Sequence, residues 1–587
     1  MRIHRKGMNG TSEFIIPGFV GIMVFVIVPL VDVFISSFQK SGTENFAGLQ
    51  NYALVMENDA FRLAAGNSLH FELVSVPLLI VISLVVAIEV HGMKSNIIKF
   101  VFLIPMAIPS NSLTVVWSIL FDDQGVVNNM IVRWGIGEPV SFFSGRAVFW
   151  LFVCTFIFKN IGYNMLIWLS GLSAIPVEIY DAAKVDGAGR FTQIWKITLP
   201  NIKRPFFIVA MLSVVNSLKI FREQYLMAGG YPDMTIYQIQ HIFNNWFEKL
   251  EISKLTAGAV LTALVFFGVI LIIRCVCLTD WYGMRLKIRR RFLLRRPKQQ
   301  ERGEGCRWVS KGVHLLIKFL VLTGAVLSVL PLVFLISGAF MGESELGQIA
   351  SPVISGGAGY ASWHFIPLYP TFKNIIELLF DTPEYYVLFW NSVKIVGVIL
   401  IGQLVFAVPA AWGLVRSRNR LSKIIFGLYM FCMILPFQVT MLSQYLVLNR
   451  MNMINTHWAV ILPFVFSSFP IFIMYSAFEQ IPDSVVEAAR LDGFKIFIYM
   501  AVPIAKRGIL AAVILGFLEY WNIVEQPVVF LKDKSLLPLS VYLPDVTEGC
   551  AGKTFAFALF SCIPSLIIFY IGKDILAEGI SIGSADG

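Results

Sequence analysis

Charge is scarce in this sequence. Asp, Glu, Lys and Arg make up 14% of its 587 residues, against 57% hydrophobic, and so long a chain has too little polar surface to cover itself in water. A soluble globular protein is excluded, and lipid is the solvent for most of the chain. The apolar runs also lack the apolar–polar alternation that a closed membrane barrel requires, so the spanning elements are helices. The seven histidines (4, 70, 91, 241, 314, 364 and 457) are dispersed, which argues against a membrane enzyme built on clustered His or carboxylates. The seven cysteines (154, 275, 277, 306, 432, 550 and 562) show no metal-like spacing and are read as structural. Absent too is Gly-x4-Gly-Lys-Ser/Thr, the phosphate cradle of nucleotide-hydrolysing proteins. The nearest lookalike, "GCAGKTF" at 549–555, has Thr at position 547 and runs into an apolar stretch. No metal site, cofactor or catalytic residue is therefore expected in this chain.

What is present is a series of twelve apolar runs, near 14–38, 68–90, 97–121, 147–172, 206–228 and 254–278, then 313–340, 386–414, 421–447, 456–478, 507–530 and 553–572. Each is long enough for a transmembrane helix, which needs roughly 20 apolar residues. The basic start "MRIHRKGMNG" has the look of a signal peptide. The run after it continues to about Phe38 without a small-residue cleavage site, so a retained first span is expected. Between the two sets of six lies "WYGMRLKIRRRFLLRRPKQQERGEGCRWVSK", which reads as a topology anchor beside anionic headgroups. It has no interleaved aromatics or folded module for nucleic acid. The expected organisation is a first half over 1–281, a basic linker over 282–311 and a second half over 312–587.

Orientation follows from the Lys/Arg bias of short loops. The N-terminus, the loop with Lys94 and Lys99, the segment carrying Lys184, Arg190, Lys196, Lys203 and Arg204, and the linker fall on one side. Loops with Glu44, Glu57 and Asp59, or Asp122, Asp123 and Glu138, fall on the other. Both termini and the linker are expected in the cytoplasm.

One polar segment interrupts this pattern twice. "IPVEIYDAAKVDG" begins at Ile175 and "IPDSVVEAARLDG" at Ile481, with every shared position 306 residues later (Asp186 and Asp492). Each copy falls between the fourth and fifth run of its half, on the cytoplasmic side. The Ala-rich part favours helix and Asp-Gly interrupts it with a residue tolerant of positive φ. A second short helix is expected from Ala188 to about Thr198. The result is a helix–turn–helix whose small Ala side chains allow another surface to approach closely.

"EIYDAAKVDGAGRFTQIWKITLP" resembles the EAA signature of membrane subunits of ABC importers, in the form found in the carbohydrate-uptake branch related to the maltose permeases. "LIPMAIPSNSLTVVWSILFDDQGVVN", "YLMAGGYPDMT", "LEYWNIVEQPVVFL" and "LPLSVYLP" resemble other parts of that family, and the likeness spans nearly the whole chain except the linker. Family members usually come as two polypeptides; this chain resembles both joined head to tail. The fold implied is all-α and polytopic, about 12 transmembrane helices in two six-helix type I importer domains. The coupling residues implied are Glu178, Asp181, Ala182, Ala183, Asp186, Gly187, Phe191, Leu199 and Pro200 in loop 175–200, and Glu487, Ala488, Ala489, Asp492, Gly493 and Pro503 in loop 481–503. Implied partners are two cytoplasmic ABC ATPase subunits, which bind ATP and Mg, an extracytoplasmic solute-binding protein, a carbohydrate (an oligosaccharide or glycoside) and the bilayer of a bacterial cytoplasmic membrane. Nucleic acid is not among them. One departure stands out: Pro200 follows Asp186 by 14 residues, but Pro503 follows Asp492 by 11. Val502 replaces Leu, and Phe494 replaces a small residue. An asymmetric pair of coupling sites and a weakened second site are both open.

Polar residues inside spans are costly and face a cavity or a partner. Candidates for the pathway are Asn111, Asn164, Asn216, Arg222, Glu223, Gln438, Tyr520, Trp521, Asn522 and Glu525, with Ser112, Asn160, Tyr163, Lys219, Thr440, Gln444 and Glu519 beside them. Any one of them also suits a helix-to-helix tie. "EYWN" combines the aromatic face and polar groups that a sugar requires. A twelve-span ion- or proton-coupled transporter is the rival reading, but it leaves the twin motif unexplained.

Overall fold

The computed structural model describes residues 12–40, 45–93, 96–278, 304–417, 419–434, 437–491, 496–543 and 550–582. Most of the basic linker, and Asp492 and Gly493 of the second motif, lie outside the described residues, as does the side chain of Gln438. Among the described residues there is no strand, only isolated bridges joining Gln39 to Phe46 and Met341 to Pro370.

All twelve apolar runs fall on helices. Ten, among the described residues, are long and apolar enough to cross a bilayer, the tenth run with a break at Phe466–Ser467 between His457–Val465 and Ser468–Glu479. Spans one, two, four, five and six are Glu13–Ser36, Asp59–Met93, Gly145–Ser173, Pro205–Ala228 and Ile252–Cys275. Spans seven, eight, ten, eleven and twelve are Leu315–Phe340, Pro383–Arg416, His457–Glu479, Phe497–Trp521 and Ala551–Leu576. The third and ninth runs are not among the ten. The third is Asn96–Ala107 plus Ser110–Leu120, bent by 93°, because Pro109 sits extended (φ −58°, ψ 149°) and cannot continue the hydrogen-bond ladder. The ninth is helical over Arg420–Ile434 and Phe437–Arg450, with residues 435–436 outside the described residues. Span eleven also ends earlier than its apolar run: it stops at Trp521, where Asn522 turns back to donate to the Leu518 carbonyl (2.8 Å), and Glu525–Phe530 forms a separate short helix.

Three π-helical turns share one cause. Met23–Ile27, Ile194–Thr198 and Phe497–Ala501 each end two residues before a proline (Pro29, Pro200 and Pro503). The residue just before the proline donates five residues back, to the carbonyls of Met23, Ile194 and Phe497. Proline cannot donate, and its ring displaces the carbonyl of the preceding turn.

The first span of each half packs against the other half. Ile15 and Ile22 of span one share a core with Ala407, Ala410 and Trp412 of span eight, and Phe25 stacks on Phe466 at 5.7 Å. Val321 and Ala325 of span seven join the core around Phe102 and Phe152. With no hydrophobic drive between helices in lipid, such crossings depend on small residues that let backbones approach. Gly21 is one: a Cβ there would lie 1.9 Å from the Phe466 ring, which Phe25 and Phe406 hold on other sides. We expect Gly21→Val to lower the unfolding temperature in detergent, at a cost of about 1–3 kcal/mol. Gly66→Val, where a Cβ meets nothing within 4 Å, leaves it unchanged.

Candidate translocation cavity and coupling elements

Spans five and eleven meet at their C-terminal ends. In span five the α-helix tightens into a 3-10 turn over Leu218–Ile220, a geometry in which side chains three apart eclipse. Lys219 and Arg222 therefore point the same way, toward the second half. There Arg222 Nε donates to both oxygens of Glu525 (2.8 and 2.9 Å) and Nη2 donates to Glu519 Oε1 (2.7 Å). Lys219 Nζ holds the other oxygen of Glu519 at 3.0 Å. Glu223 faces back into its own half, where Lys159 of span four (2.6 Å) and the Ser110 hydroxyl (2.7 Å) donate to it. Arg222, Glu223 and Glu525 are buried, and their mutual pairing offsets the cost of removing each charge from water.

These groups line a cavity of about 380 Å³ between the halves, a size typical of small-molecule sites. Its wall also holds Asn160, Tyr163, Asn216, Gln444, Tyr520 and Asn522. Asn216 donates to Asn160 across spans five and four (3.2 Å). The Tyr520 hydroxyl accepts from Gln403 (2.7 Å), which fixes its ring at the wall. Three cations (Lys159, Lys219 and Arg222) and three carboxylates (Glu223, Glu519 and Glu525) thus surround one space, each paired.

The other pathway candidates lie elsewhere, and the reason is helix packing. Asn111 donates to the Leu539 carbonyl (2.9 Å) and ties the two halves together. Asn164 donates to Ser213 (2.8 Å) between spans four and five, and Trp521 donates to the Ser561 carbonyl (3.0 Å).

The first repeated motif forms a helix over Val177–Val185, none of it buried. Gly187 follows at φ +77°, the left-handed conformation that stops a helix at glycine without strain. The second helix starts at Arg190, two residues later than its expected start, and passes through the π turn and Leu199-Pro200 toward span five. Glu178, Asp181, Ala182, Asp186 and Phe191 are exposed, as are Val177, Ile179, Val185 and Trp195. This is an unusually apolar outer face for a polar segment. The element is held to span two by Arg190–Glu89 (2.9 Å), and its own two parts are joined by Tyr180–Thr198 (3.0 Å).

In the second half Asp483–Leu491 presents Glu487 and Ala488 outward. Arg416 at the end of span eight holds Asp483 (2.7 Å) and the Ile481 carbonyl (2.8 Å). Its π turn stands at the same distance from Pro503 as the first does from Pro200. The three missing residues therefore fall before it, where the first half has the short helix Arg190–Gln193.

Comparison with known proteins places this architecture. The profile of the family described as "Binding-protein-dependent transport system inner membrane component" matches twice, over residues 79–287 and 403–581. The chain belongs to this family. Each matched domain contains one copy of the repeated motif, and spans one and seven, which cross to the other half, lie outside both. Curated relatives include the arabinooligosaccharides transport permease AraP of Bacillus subtilis, 29% identical over 36% of this chain and 70% of that protein. Another is the trehalose/maltose transport permease MalF of Thermococcus litoralis, 27% identical over 42% of this chain and 86% of that protein. A solved bacterial ABC transporter for the acidic polysaccharide alginate covers 47% of this chain and 99% of its own at 21% identity, with a TM-score of 0.39.

Within these permease domains, sequence reasoning missed Lys159, Ser110 and Gln526. Lys159 carried a usable signal, a lone lysine inside the apolar stretch "LFVCTFIFKNIGYN". Ser110 carried none, because serine is ordinary in a span. We expect Arg222→Met to cost roughly 3–5 kcal/mol by leaving buried carboxylates unpaired. Arg222→Met combined with Glu525→Met recovers much of that loss, since Glu519 keeps Lys219. Thermal unfolding of the single and double variants measures the difference.

Proposed function

We propose that this chain is the fused membrane subunit of an ATP-driven importer for a carbohydrate, with ATP hydrolysed by separate subunits that dock on the two motif elements. One observation carries the reading: a twice-repeated segment, outward-facing where it is described, precedes each of the two spans whose far ends close over a shared polar cavity. Docking on an ATPase fits the exposed apolar and acidic face of Val177–Phe191. From Pro205 to Arg222 is about 26 Å of continuous helix at roughly 1.5 Å per residue. A displacement of either docking element is thus delivered to the Arg222–Glu519–Glu525 cluster through one rigid rod. Separating the ATPases' grips then pulls the paired charges apart and opens the cavity on the opposite, extracytoplasmic side.

A carbohydrate suits the wall. Tyr163, Tyr520 and Phe464 offer ring faces, while Asn160, Asn216 and Gln444 offer amides for hydroxyls. The names of the relatives, which include arabinooligosaccharide and trehalose/maltose permeases, support the same class. An extracytoplasmic binding protein delivers the sugar, and the chain lies in a bacterial cytoplasmic membrane with both motif copies inside.

Reconstitution with a cognate ATPase and binding protein tests the proposal. Uptake is expected only with ATP inside and both partners present; uptake driven by an ion gradient alone overturns it. Asp186→Lys and Asp492→Lys, made separately, each lower sugar-stimulated ATP hydrolysis. The larger loss is expected from Asp186→Lys, whose element has its full length. Equal losses indicate equivalent docking sites.

A further inference from the structure

We propose that the helix Lys373–Phe380, between spans seven and eight, is an interfacial anchor. It lies along the bilayer surface with Phe372, Ile376 and Phe380 inserted at the boundary of headgroups and acyl chains. These three side chains are spaced four apart and share one face, and they are 66%, 52% and 77% exposed. The opposite face carries Asn374 and Leu378, both buried. An amphipathic helix of this kind is soluble on neither side alone and gains most where water meets lipid.

The level of the helix is set by span ends at both of its own ends. Asn374 donates to the carbonyls of Ala339 (3.0 Å) and Met341 (2.8 Å), where span seven stops. Gly552, at the start of span twelve, packs so closely that a Cβ there would lie 2.4 Å from the Asn374 amide. The Phe372 ring sits edge-on to Phe340, the last residue of span seven, at 5.3 Å. At the other end the Tyr386 hydroxyl of span eight donates to the Leu379 carbonyl (2.7 Å). Three spans begin or end around this helix, which is what a bilayer boundary requires. Its apolar face runs on into exposed Tyr386, Val387 and Trp390 in the first turns of span eight. Aromatic residues concentrate at that level of a membrane. The charged side is self-satisfied: Lys373 pairs with Glu343 (3.3 Å) and Glu377 (3.6 Å).

The first half repeats the device. Helix Gln50–Glu57 precedes span two, and Asn51 donates to the carbonyls of Ser37 (2.8 Å) and Gln39 (2.7 Å) just past span one. Phe46, Leu49 and Leu54 are exposed beside it. The two isolated bridges of the structure, Gln39–Phe46 and Met341–Pro370, stand at these two places.

Spin labelling tests the anchor. Ile376→Cys, Phe380→Cys and Glu377→Cys are placed singly in the full chain with its other cysteines replaced. Each is labelled with a nitroxide and reconstituted in phosphatidylethanolamine–phosphatidylglycerol vesicles. The ratio of oxygen to nickel-chelate collision is expected to be several-fold higher at positions 376 and 380 than at 377. Equal ratios at the three sites overturn the proposal, as does nickel access at 376 and 380 that falls when the binding protein is added, which makes the face a protein docking surface. The unsubstituted chain gives an independent reading: a lipid with a photoactivatable group near its headgroup is expected to label the 372–387 peptide, and no label there overturns the anchor. Reduction of the nitroxide by an impermeant reagent reports the leaflet. That outcome tests the orientation proposed above and leaves the depth result standing.

Discussion

The structure turns on Arg222 held between Glu519 and Glu525. A charge removed from water costs several kcal/mol even after relaxation, and a buried ion pair recovers this only when geometry is good and every remaining hydrogen bond is made. Here Arg222 bonds both oxygens of one carboxylate and one oxygen of another, and Lys219 takes the oxygen left over. Such a cluster is a poor way to add stability, since well-packed apolar groups of similar volume do at least as well. In the import cycle proposed above, its use lies in the difference between two states. Closed, the charges satisfy one another across the two halves; apart, they face a water-filled cavity and are satisfied by solvent. Either state is affordable, whereas a half-open state strands charges in low dielectric, so the cluster favours all-or-none opening.

That cluster explains why the rest of the chain is arranged in duplicate. Arg222 and Glu519 sit at the far ends of the spans that follow the two motif copies, and Glu525 opens the short helix just beyond span eleven. Spans five and eleven are helical over most of their length and irregular at a few points. The irregularities are chemically forced: prolines at 200 and 503 shift the entry to a π turn, and the 3-10 turn at Leu218–Ile220 sits beside Lys219. Spans one and seven, each packed on the opposite half, tie the two halves together. Both crossing spans lie outside the matched family domains, so the cavity-forming core and the clasp are distinct parts of the sequence.

Much of this was legible before the structure. Hydropathy alone located twelve runs that all fall on helices, since a bilayer leaves the backbone no alternative. The motif's turn at Gly187 followed from glycine's freedom at positive φ. Less legible was anything decided by which helix faces which. Asn111, Asn164 and Trp521 have the same composition signal as Asn216 and Asn522, yet the first three bond across packed helices and the last two line the cavity. A polar side chain in lipid must find a partner, and periodicity does not say whether that partner is a neighbour or a substrate. The 93° bend at Pro109 was hidden for a related reason: proline is tolerated within spans two, eight and twelve without breaking them, at Pro77, Pro409 and Pro564, so its presence alone does not mark a break.

The shortened second motif gains a more definite meaning from where the residues are lost. Both π turns stand at the same distance from their prolines, so the entry into span eleven is built like the entry into span five. The loss falls on the counterpart of Arg190–Gln193, the piece that ties the first element to span two through Arg190 and Glu89. In the second half the tie comes from before the motif, where Arg416 holds Asp483 and the Ile481 carbonyl. Among the described residues, then, the first element has a tie after its turn and the second a tie before it. Under the docking proposed above, a push on the first would be resisted at its second helix, turning the Val177–Val185 helix about that point. A push on the second would be resisted at the start of Asp483–Leu491. Two spans entered alike would then be driven from different pivots, and in a fused chain such inequality is fixed in position, since the halves never exchange roles.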